Sequence, residues 1–168
     1  MIYLDNNATT PIDPAVCEKM SEFIECEFGN PSSLYPIGRE VKERIQAARE
    51  MVADAIGARR SEVTFTGSGT ESDNFAIRGV MDALPDKDHF ITSSVEHPAV
   101  IETAHYLKRK GYQVTIVPVD KTGLIDFDFL RDAITPKTAL ISIMHANNEI
   151  GTIQPLDDIV ALAKENNV

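Results

Sequence analysis

The stretch HFITSSVEHPAVIETAHYLKRKGYQVTIVPV, residues 89–119, decides the fold class. It holds two short apolar runs, HFITSS and YQVTIVPV, on either side of a segment with helical periodicity over 98–110. Pro98 is suited to the first turn of that helix, and Gly111 lies just beyond its end. A strand, a helix and a second strand at this spacing are typical of a βαβ unit in a parallel sheet.

The same alternation extends in both directions from this unit. Upstream, EVTFT at 62–66 predicts a strand, and downstream TALISIMH at 138–145 predicts another that is covered on both faces. Amphipathic periodicity predicts further helices over 14–28, up to residue 56, over 70–83, around 127–134 and over 155–166. We therefore expect an α/β fold whose mainly parallel sheet is flanked by helices.

Composition and charge exclude several classes of function. The 168 residues suit one domain, and 43% hydrophobic with 25% charged residues are ordinary globular values. A formal net charge of -10 argues against nucleic-acid binding and attachment to anionic membranes.

No run approaches the roughly 18–20 apolar residues of a membrane span, and the start lacks the basic region of a signal peptide. Since Cys17 and Cys26 match no disulfide or metal pattern, we expect a cytoplasmic protein without a metal site.

Three polar clusters follow predicted strands. Small and hydroxylated residues at 67–74, GSGTESDN, follow EVTFT, whereas His97 follows HFITSS and the amides of Asn147 and Asn148 follow TALISIMH. Because ligands of open α/β sheets bind beyond the carboxyl ends of the strands, these clusters are expected at one edge. Free N–H groups at the start of a helix can bind a phosphate. An imidazole can stack on a flat ring, and amides can hydrogen-bond to an oxygen on that ring.

Each cluster alone also has a purely structural explanation. Ser68 and Glu71 match a capping box, which satisfies the start of a helix without any ligand. A single histidine is more often structural than catalytic, and amides at 147–148 are equally suited to a turn. The glycine pattern is neither a dinucleotide-binding fingerprint nor a P-loop, so a hydride-transferring nucleotide enzyme fits less well.

Taken together, these segments resemble the class V aminotransferase family, and within it the cysteine desulfurases of the NifS/IscS type. The motifs that carry the resemblance are YLDNNATTP at 3–11, GNPSS at 29–33, GR at 38–39, FTGSGTESDN at 65–74, EHPAV at 96–100 and MHANNEIGTIQP at 144–155. The resemblance implies the N-terminal part of the large domain of a fold type I pyridoxal-phosphate-dependent transferase. It divides the chain into an N-terminal helical segment, 1–57, and the first half of the cofactor-binding α/β domain, 58–168.

The resemblance also implies an activity and a set of site residues. Family members bind pyridoxal 5′-phosphate and convert L-cysteine to L-alanine, and the sulfur passes as a persulfide toward iron–sulfur cluster assembly. Transferred by motif, Gly69 and Thr70 hold the cofactor phosphate, His97 stacks on the ring and serves in catalysis, and Asn148 contacts the ring hydroxyl and the substrate. Implied partners are L-cysteine, an iron–sulfur scaffold protein, and a complementary C-terminal half or a dimer partner.

The chain also departs from the family pattern. Family members are more than twice as long, and after a segment like this one they supply the Schiff-base lysine and the sulfur-accepting cysteine. None of the eight lysines is expected after a strand at the ligand edge, and neither cysteine matches a family cysteine. Later family segments also insert strands beside EVTFT, which would otherwise lose its neighbours. We therefore expect an incomplete sheet and an inactive fragment, or one half of a split enzyme that needs a complement.

Two alternatives stay open from the sequence. One is a non-catalytic truncated remnant or an assembly partner with the same fold. The other is a different reaction of the same fold, that of another class V aminotransferase or of a selenocysteine lyase.

Overall fold

The computed structural model describes residues 2–26 and 28–168, and from residue 69 onward helices and strands alternate as the periodicity predicts. The helices are α1 (Pro14–Cys26), α2 (Pro36–Ile56), α3 (Gly69–Ala83), α4 (Pro98–Arg109), α5 (Phe127–Ala133) and α6 (Leu156–Glu165). The strands are β1 (His89–Ser93), β2 (Gln113–Val117) and β3 (Thr138–Ser142), and a 3-10 turn spans Arg60–Glu62. The first helix, predicted over 14–28, ends at Cys26, and Glu27 lies outside the described residues.

The three strands form a parallel sheet in the order β2-β1-β3, so the first strand of the chain lies in the centre. In register, Phe90 of β1 is paired with Val114 of β2 and with Leu140 of β3. The hydroxyl of Thr92 donates to the carbonyl oxygen of Ser142 at 2.9 Å, which adds a side-chain bond to the β1–β3 ladder. Because all strands run the same way, their carboxyl ends lie at one edge, as expected.

Side chains of β1 alternate between two apolar layers, which explains why this strand is buried along its whole length. Helices α3 and α4 cover one face of the sheet, and α5 and α6 cover the other. The first layer contains Phe90, Ile77, Met81, Val100, Ala104 and Leu107; the second contains Ile91, Val117, Ile125, Leu130, Ile159 and Leu162. Burying a side chain such as Phe90 or Ile91 contributes about 1.5–3 kcal/mol.

The chain divides into two compact units, residues 1–65 and 66–168. The first contains α1, α2 and the 3-10 turn, and the second contains the sheet and its four helices. Within the first unit, the loop at 29–33 packs closely on the start of α2. A Cβ added at Gly38 would lie 2.0 Å from Oγ of Ser33, so this contact requires glycine. The GNPSS and GR motifs therefore belong to one packed element.

The predicted strand EVTFT is absent, and this expectation was wrong. Residues 60–62 form the 3-10 turn, and residues 63–66 follow in irregular structure without strand pairing. Instead, the guanidinium of Arg49 donates to the carbonyl oxygen of Val63 and lies 4.9 Å from the centre of the Phe65 ring. A strand needs a neighbour for its backbone hydrogen bonds, and the sheet of the described chain contains only β2, β1 and β3.

No helix in the described part of the chain is long and apolar enough to cross a membrane. The same residues contain no cluster of three or more side chains suited to holding a metal ion.

Candidate cofactor site

The start of α3 offers hydrogen-bond donors in open space. Gly69 and Thr70 are the first two residues of this 15-residue helix, and their N–H groups have no hydrogen-bond partner among the described residues. A Cβ added at Gly69 would meet no atom within 4 Å. The packing of the chain therefore does not require glycine here, and the open space leaves room for a ligand to approach the backbone. The hydroxyl of Thr70 adds a further donor beside these N–H groups.

The capping box expected from the sequence also forms, and it leaves these donors unused. Oγ of Ser68 accepts from the N–H of Glu71 at 3.2 Å, while a carboxylate oxygen of Glu71 accepts from the N–H of Gly67 at 2.6 Å. A helix cap and an anion site are thus compatible in this segment, because the capping box uses only the N–H groups of Gly67 and Glu71. The N–H groups of Gly69 and Thr70 stay available to an anion at the positive end of the helix dipole.

His97 is the N-cap residue of α4. Its backbone is extended, with φ -58° and ψ 145°, as expected for a residue that precedes proline. The N–H of Ala99 donates to Nδ1 of His97 at 3.1 Å, which places the proton of the neutral ring on Nε2. The ring is exposed, and its Nε2 has no hydrogen-bond partner within the described ranges.

The two neighbouring amides have different roles in the loop after β3. Asn147 organises the loop: its Oδ1 accepts from the N–H groups of Glu149 and Ile150 at 2.9 and 3.0 Å, and its Nδ2 donates to the carbonyl oxygen of Val95 at 3.0 Å. Asn148 lies in the exposed turn that this arrangement supports. Asn148 is thus the amide placed at the loop surface, where a ligand can reach it.

The structure brings two of the four sequence-predicted site residues, Thr70 and His97, to one opening, whereas Gly69 and Asn148 are not among the residues that line it. Thr70 and His97 line the same cavity of about 390 Å³ between α3 and α4, together with Asn74 and Arg78. The loop that carries Asn148 is hydrogen-bonded to the segment just before His97 through Asn147. One expected feature is corrected, because the cluster at 67–74 begins a helix without following a strand.

Glu96 is a residue of this region to which the sequence assigned no role. Its Oε1 accepts from Oγ of Ser93 at 2.8 Å and from the N–H of Met144 at 2.8 Å, so it connects the ends of β1 and β3. Burial raises the pKa of the Glu96 carboxyl, and the negative charge of Asp73 on α3 adds to this shift. The sequence signal available was only the glutamate of the EHPAV motif.

The position of Lys121 differs from the expectation that no lysine follows a strand at this edge. It lies in the exposed turn after β2, on the side of the sheet where the strands end. This turn is formed around Asp120, whose Oδ1 accepts from the N–H and the hydroxyl of Thr122 at 2.7 and 2.6 Å. These hydrogen bonds lower the pKa of the Asp120 carboxyl.

A family model described as aminotransferase class V matches residues 2–168. The chain belongs to the class V aminotransferase family. Enzymes of this family depend on pyridoxal phosphate, and the donors at the start of α3 fit a phosphate group.

Known class V proteins resemble this chain over nearly its whole length. A cysteine desulfurase IscS from Methanosarcina thermophila is 52% identical over 168 residues, and a cysteine desulfurase from a Nostoc species is 46% identical over 165 residues. These matches cover 99% and 98% of this chain but only 42% and 41% of the two relatives. The chain thus spans less than half the length of the curated class V relatives that it matches.

Solved structures give the same result for the fold. A NifS-like protein superposes with a TM-score of 0.94 at 42% identity, and a protein described as SspA in complex with cysteine superposes with 0.90 at 40% identity. Each match covers 99% of this chain, and 46% and 48% of the respective solved chain. The helices and the parallel sheet therefore correspond to the N-terminal part of the NifS-like class V fold, as the resemblance implied.

Proposed function

We propose that this chain binds pyridoxal 5′-phosphate, with Gly69 and Thr70 holding the phosphate, His97 stacked on the ring and Asn148 at the ring hydroxyl. The observation that carries the proposal is the open space at Gly69 beside N–H groups that have no partner among the described residues. The next residue, Thr70, lines a cavity together with His97. A phosphate accepts several hydrogen bonds, and the α3 dipole favours its negative charge.

The side chains at the ring have distinct tasks in this proposal. His97 presents a flat ring whose Nε2–H can donate to a group of the substrate, while Nδ1 accepts from the N–H of Ala99. The amide of Asn148 orients the ring by hydrogen bonding. When bound, pyridoxal phosphate supplies an electron sink for negative charge at the carbon next to the amino group of the substrate.

We further propose the cysteine desulfurase reaction for the assembled enzyme: L-cysteine becomes L-alanine, and the sulfur passes to an enzyme cysteine as a persulfide for iron–sulfur cluster assembly. The names of relatives at 52% and 46% identity support this substrate, as does a solved relative described as a complex with cysteine. We place the protein in the cytoplasm, with an iron–sulfur scaffold protein as the acceptor of the sulfur.

Turnover is proposed to require further polypeptide, either a complementary segment or a partner subunit. Seven of the eight lysines lie in helices, at their ends or in turns before the strands, and Lys121 lies in a turn over the loop after β3. Cys17 and Cys26 are exposed on α1 within the other compact unit. We therefore assign this chain the phosphate and ring contacts, and we assign the covalent lysine and the acceptor cysteine to the complement.

A glycine pair tests the phosphate site. Gly69→Ala adds a methyl group where the folded chain has room, so we expect normal folding but about tenfold weaker binding of pyridoxal phosphate. Gly79→Ala is the matched control, because it lies in the same helix and its added Cβ also meets no atom within 4 Å. Titration followed by cofactor fluorescence gives both affinities. Equal binding by both variants, or equal wild-type affinity for pyridoxal without its phosphate, contradicts the proposed site.

A second experiment tests the need for a complement. The purified chain with stoichiometric cofactor and L-cysteine is expected to release no sulfide or alanine, and borohydride followed by intact mass is expected to show no stable lysine adduct. Lys121→Arg serves as the control for the lysine nearest the sheet edge. If the wild type forms an adduct that disappears in Lys121→Arg, and if it also turns over L-cysteine, the assignment of the covalent lysine to a complement is wrong. Addition of the C-terminal part of a full-length relative is expected to restore turnover.

A further inference from the structure

We propose that Glu96 is a positioning residue, which together with Asn147 clamps two loops at the carboxyl end of the sheet and so fixes His97 relative to Asn148. The inference rests on the proposed cofactor site, because its purpose is the relative placement of two residues assigned to that site. The clamp itself consists only of contacts within the second compact unit.

Two independent hydrogen bonds form the clamp. One joins the N–H of Met144 to Oε1 of Glu96 at 2.8 Å, and the other joins Nδ2 of Asn147 to the carbonyl oxygen of Val95 at 3.0 Å. The partners are 48 and 52 positions apart in the sequence, so these bonds connect loops that no local structure holds together. His97 follows Glu96 directly, and Asn148 follows Asn147 directly.

Each loop is stiff at the point where the clamp holds it. The carboxylate of Glu96 also accepts from Oγ of Ser93 at 2.8 Å, which ties it to the last residue of β1. On the other side, the N–H of Asn147 donates to the carbonyl oxygen of Thr152 at 2.9 Å, which closes the loop after β3. A displacement of Glu96 or Asn147 therefore moves the backbone directly next to His97 or Asn148.

The clamp is not needed to hold the sheet together. It lies beyond the paired residues of β1 and β3, whose ladder ends at Thr92 and Ser142. The helices are held on the sheet by the two apolar layers. Burying a carboxylate costs free energy, and the raised pKa of Glu96 reflects that cost. A single acceptor atom, Oε1 of Glu96, receives one hydrogen bond from the last residue of β1 and one from the segment after β3, so the position requires an acceptor more than a charge.

The test compares Glu96→Gln, which keeps an Oε1 acceptor, with Glu96→Ala, which removes it. We expect Glu96→Ala to speed hydrogen exchange of the Met144 amide about tenfold or more, shift the His97 ring resonances and weaken binding of pyridoxal phosphate about tenfold. Glu96→Gln is expected to stay within about twofold of the wild type in all three. Glu165→Ala, an exposed glutamate of α6, is the control for loss of charge.

A second variant covers the case in which Glu96→Ala fails to fold. Asn147→Asp keeps the Oδ1 acceptor that supports its own loop and removes Nδ2, which donates to the carbonyl oxygen of Val95 and to Sδ of Met144. We expect it to shift the same His97 resonances and to weaken cofactor binding. Combined with Glu96→Gln, its losses are expected to stay near those of Asn147→Asp alone, because glutamine keeps the Oε1 acceptor. Combined with Glu96→Ala, the losses are expected to depart from the sum of the two single variants, because both bonds hold the same pair of loops.

The outcomes separate the clamp from the cofactor site. If the wild type binds no pyridoxal phosphate, the proposed function fails, while Met144 exchange and the His97 resonances still decide whether the clamp exists. If Met144 exchange rises in Glu96→Ala while the His97 resonances and cofactor affinity stay unchanged, Glu96 is only structural and the inference is overturned. Unchanged Met144 exchange overturns it as well.

Discussion

His89 connects all three strands at the edge of the sheet opposite the candidate site. Its Nδ1 lies 2.9 Å from Oγ1 of Thr138 on β3, and its Nε2 lies 2.8 Å from Oγ1 of Thr115 on β2. The residue is 4% exposed. Burial lowers the pKa of His89, and the neighbouring carboxylate of Asp88 opposes this shift only in part. The ring therefore favours its neutral form in the folded protein.

This shift predicts how stability depends on pH. As pH falls below the ordinary histidine value of about 6.5, the unfolded chain takes up a proton at this position before the folded chain does. We therefore expect the contribution of His89 to be fully present above that value and to decline below it, until the folded state is also protonated. Urea unfolding at about pH 7.5 and about pH 5.5 measures the decline.

His89→Gln is the matched variant, because the other three histidines are unchanged in it. We expect its free energy of unfolding to fall less between the two pH values than that of the wild type. An equal fall in both proteins would assign the pH dependence to other groups.

Local residue patterns were sufficient to predict some site residues and insufficient for others. Gly69, Thr70 and His97 lie at helix starts that cap and proline signals mark in the sequence, so their placement could be predicted. Asn147 and Asn148 are identical in type, and only their contacts distinguish the organising amide from the surface one. Glu96 gave no usable signal, because its partner Met144 is 48 positions away.

At the scale of elements, periodicity predicted the six α-helices and the three strands of the described residues, whereas the prediction of a strand at EVTFT was wrong. The helices bury stripes whose spacing is visible in the sequence, and each of the three strands lies between two covering layers. EVTFT has the same β-forming composition, but strand structure depends on a neighbour that composition does not report. Its residues are held by Arg49 instead, a contact across 14 positions.

Two loops at the carboxyl edge interlock through the buried side chain of Gln154. Its Nε2 donates to the carbonyl oxygen of Gly123 at 2.7 Å, and its Oε1 accepts from the N–H of Ile125 at 3.1 Å. Gly123 has φ +84°, and an added Cβ there would lie 2.4 Å from Cδ1 of Ile150. The turn after β2 thus packs directly on the loop that carries Asn148.

Replacing this amide tests the interlock. Gln154→Leu leaves the backbone groups of Gly123 and Ile125 without partners, so we expect the free energy of unfolding to fall by about 2 kcal/mol or more. Gln113→Leu at the exposed start of β2 is the control, and its effect is expected within about 0.5 kcal/mol. Denaturant unfolding of both variants is the measurement. Equal stability of the two would show that the loops hold without Gln154.

At the scale of the whole molecule, the two compact units differ in how much they bury. No residue of α1 is buried, and its apolar side chains Val16, Met20 and Phe23 are 50%, 48% and 40% exposed. In the second unit every residue of β1 is buried. Helix stability in proteins comes mostly from packing of an apolar face, so the units are expected to differ in local stability.

Hydrogen exchange followed by mass spectrometry measures this difference. We expect peptides covering residues 14–26 to exchange much faster than peptides covering residues 89–93, since opening α1 exposes no buried core. The same experiment at two protein concentrations detects self-association through the apolar face of α1. Slow exchange in both segments at low concentration would contradict the expected difference.

The central position of β1 has a consequence for synthesis on the ribosome. Chains emerge N-terminus first, so β1 leaves the exit tunnel before both of the strands that flank it. Until β2 and β3 follow, the most deeply buried strand of the protein has two open edges, which are sites of aggregation. Nascent chains in which β1 has left the tunnel while β3 is still inside it are therefore the ones expected to bind chaperones most strongly, and binding is expected to fall once β3 has docked.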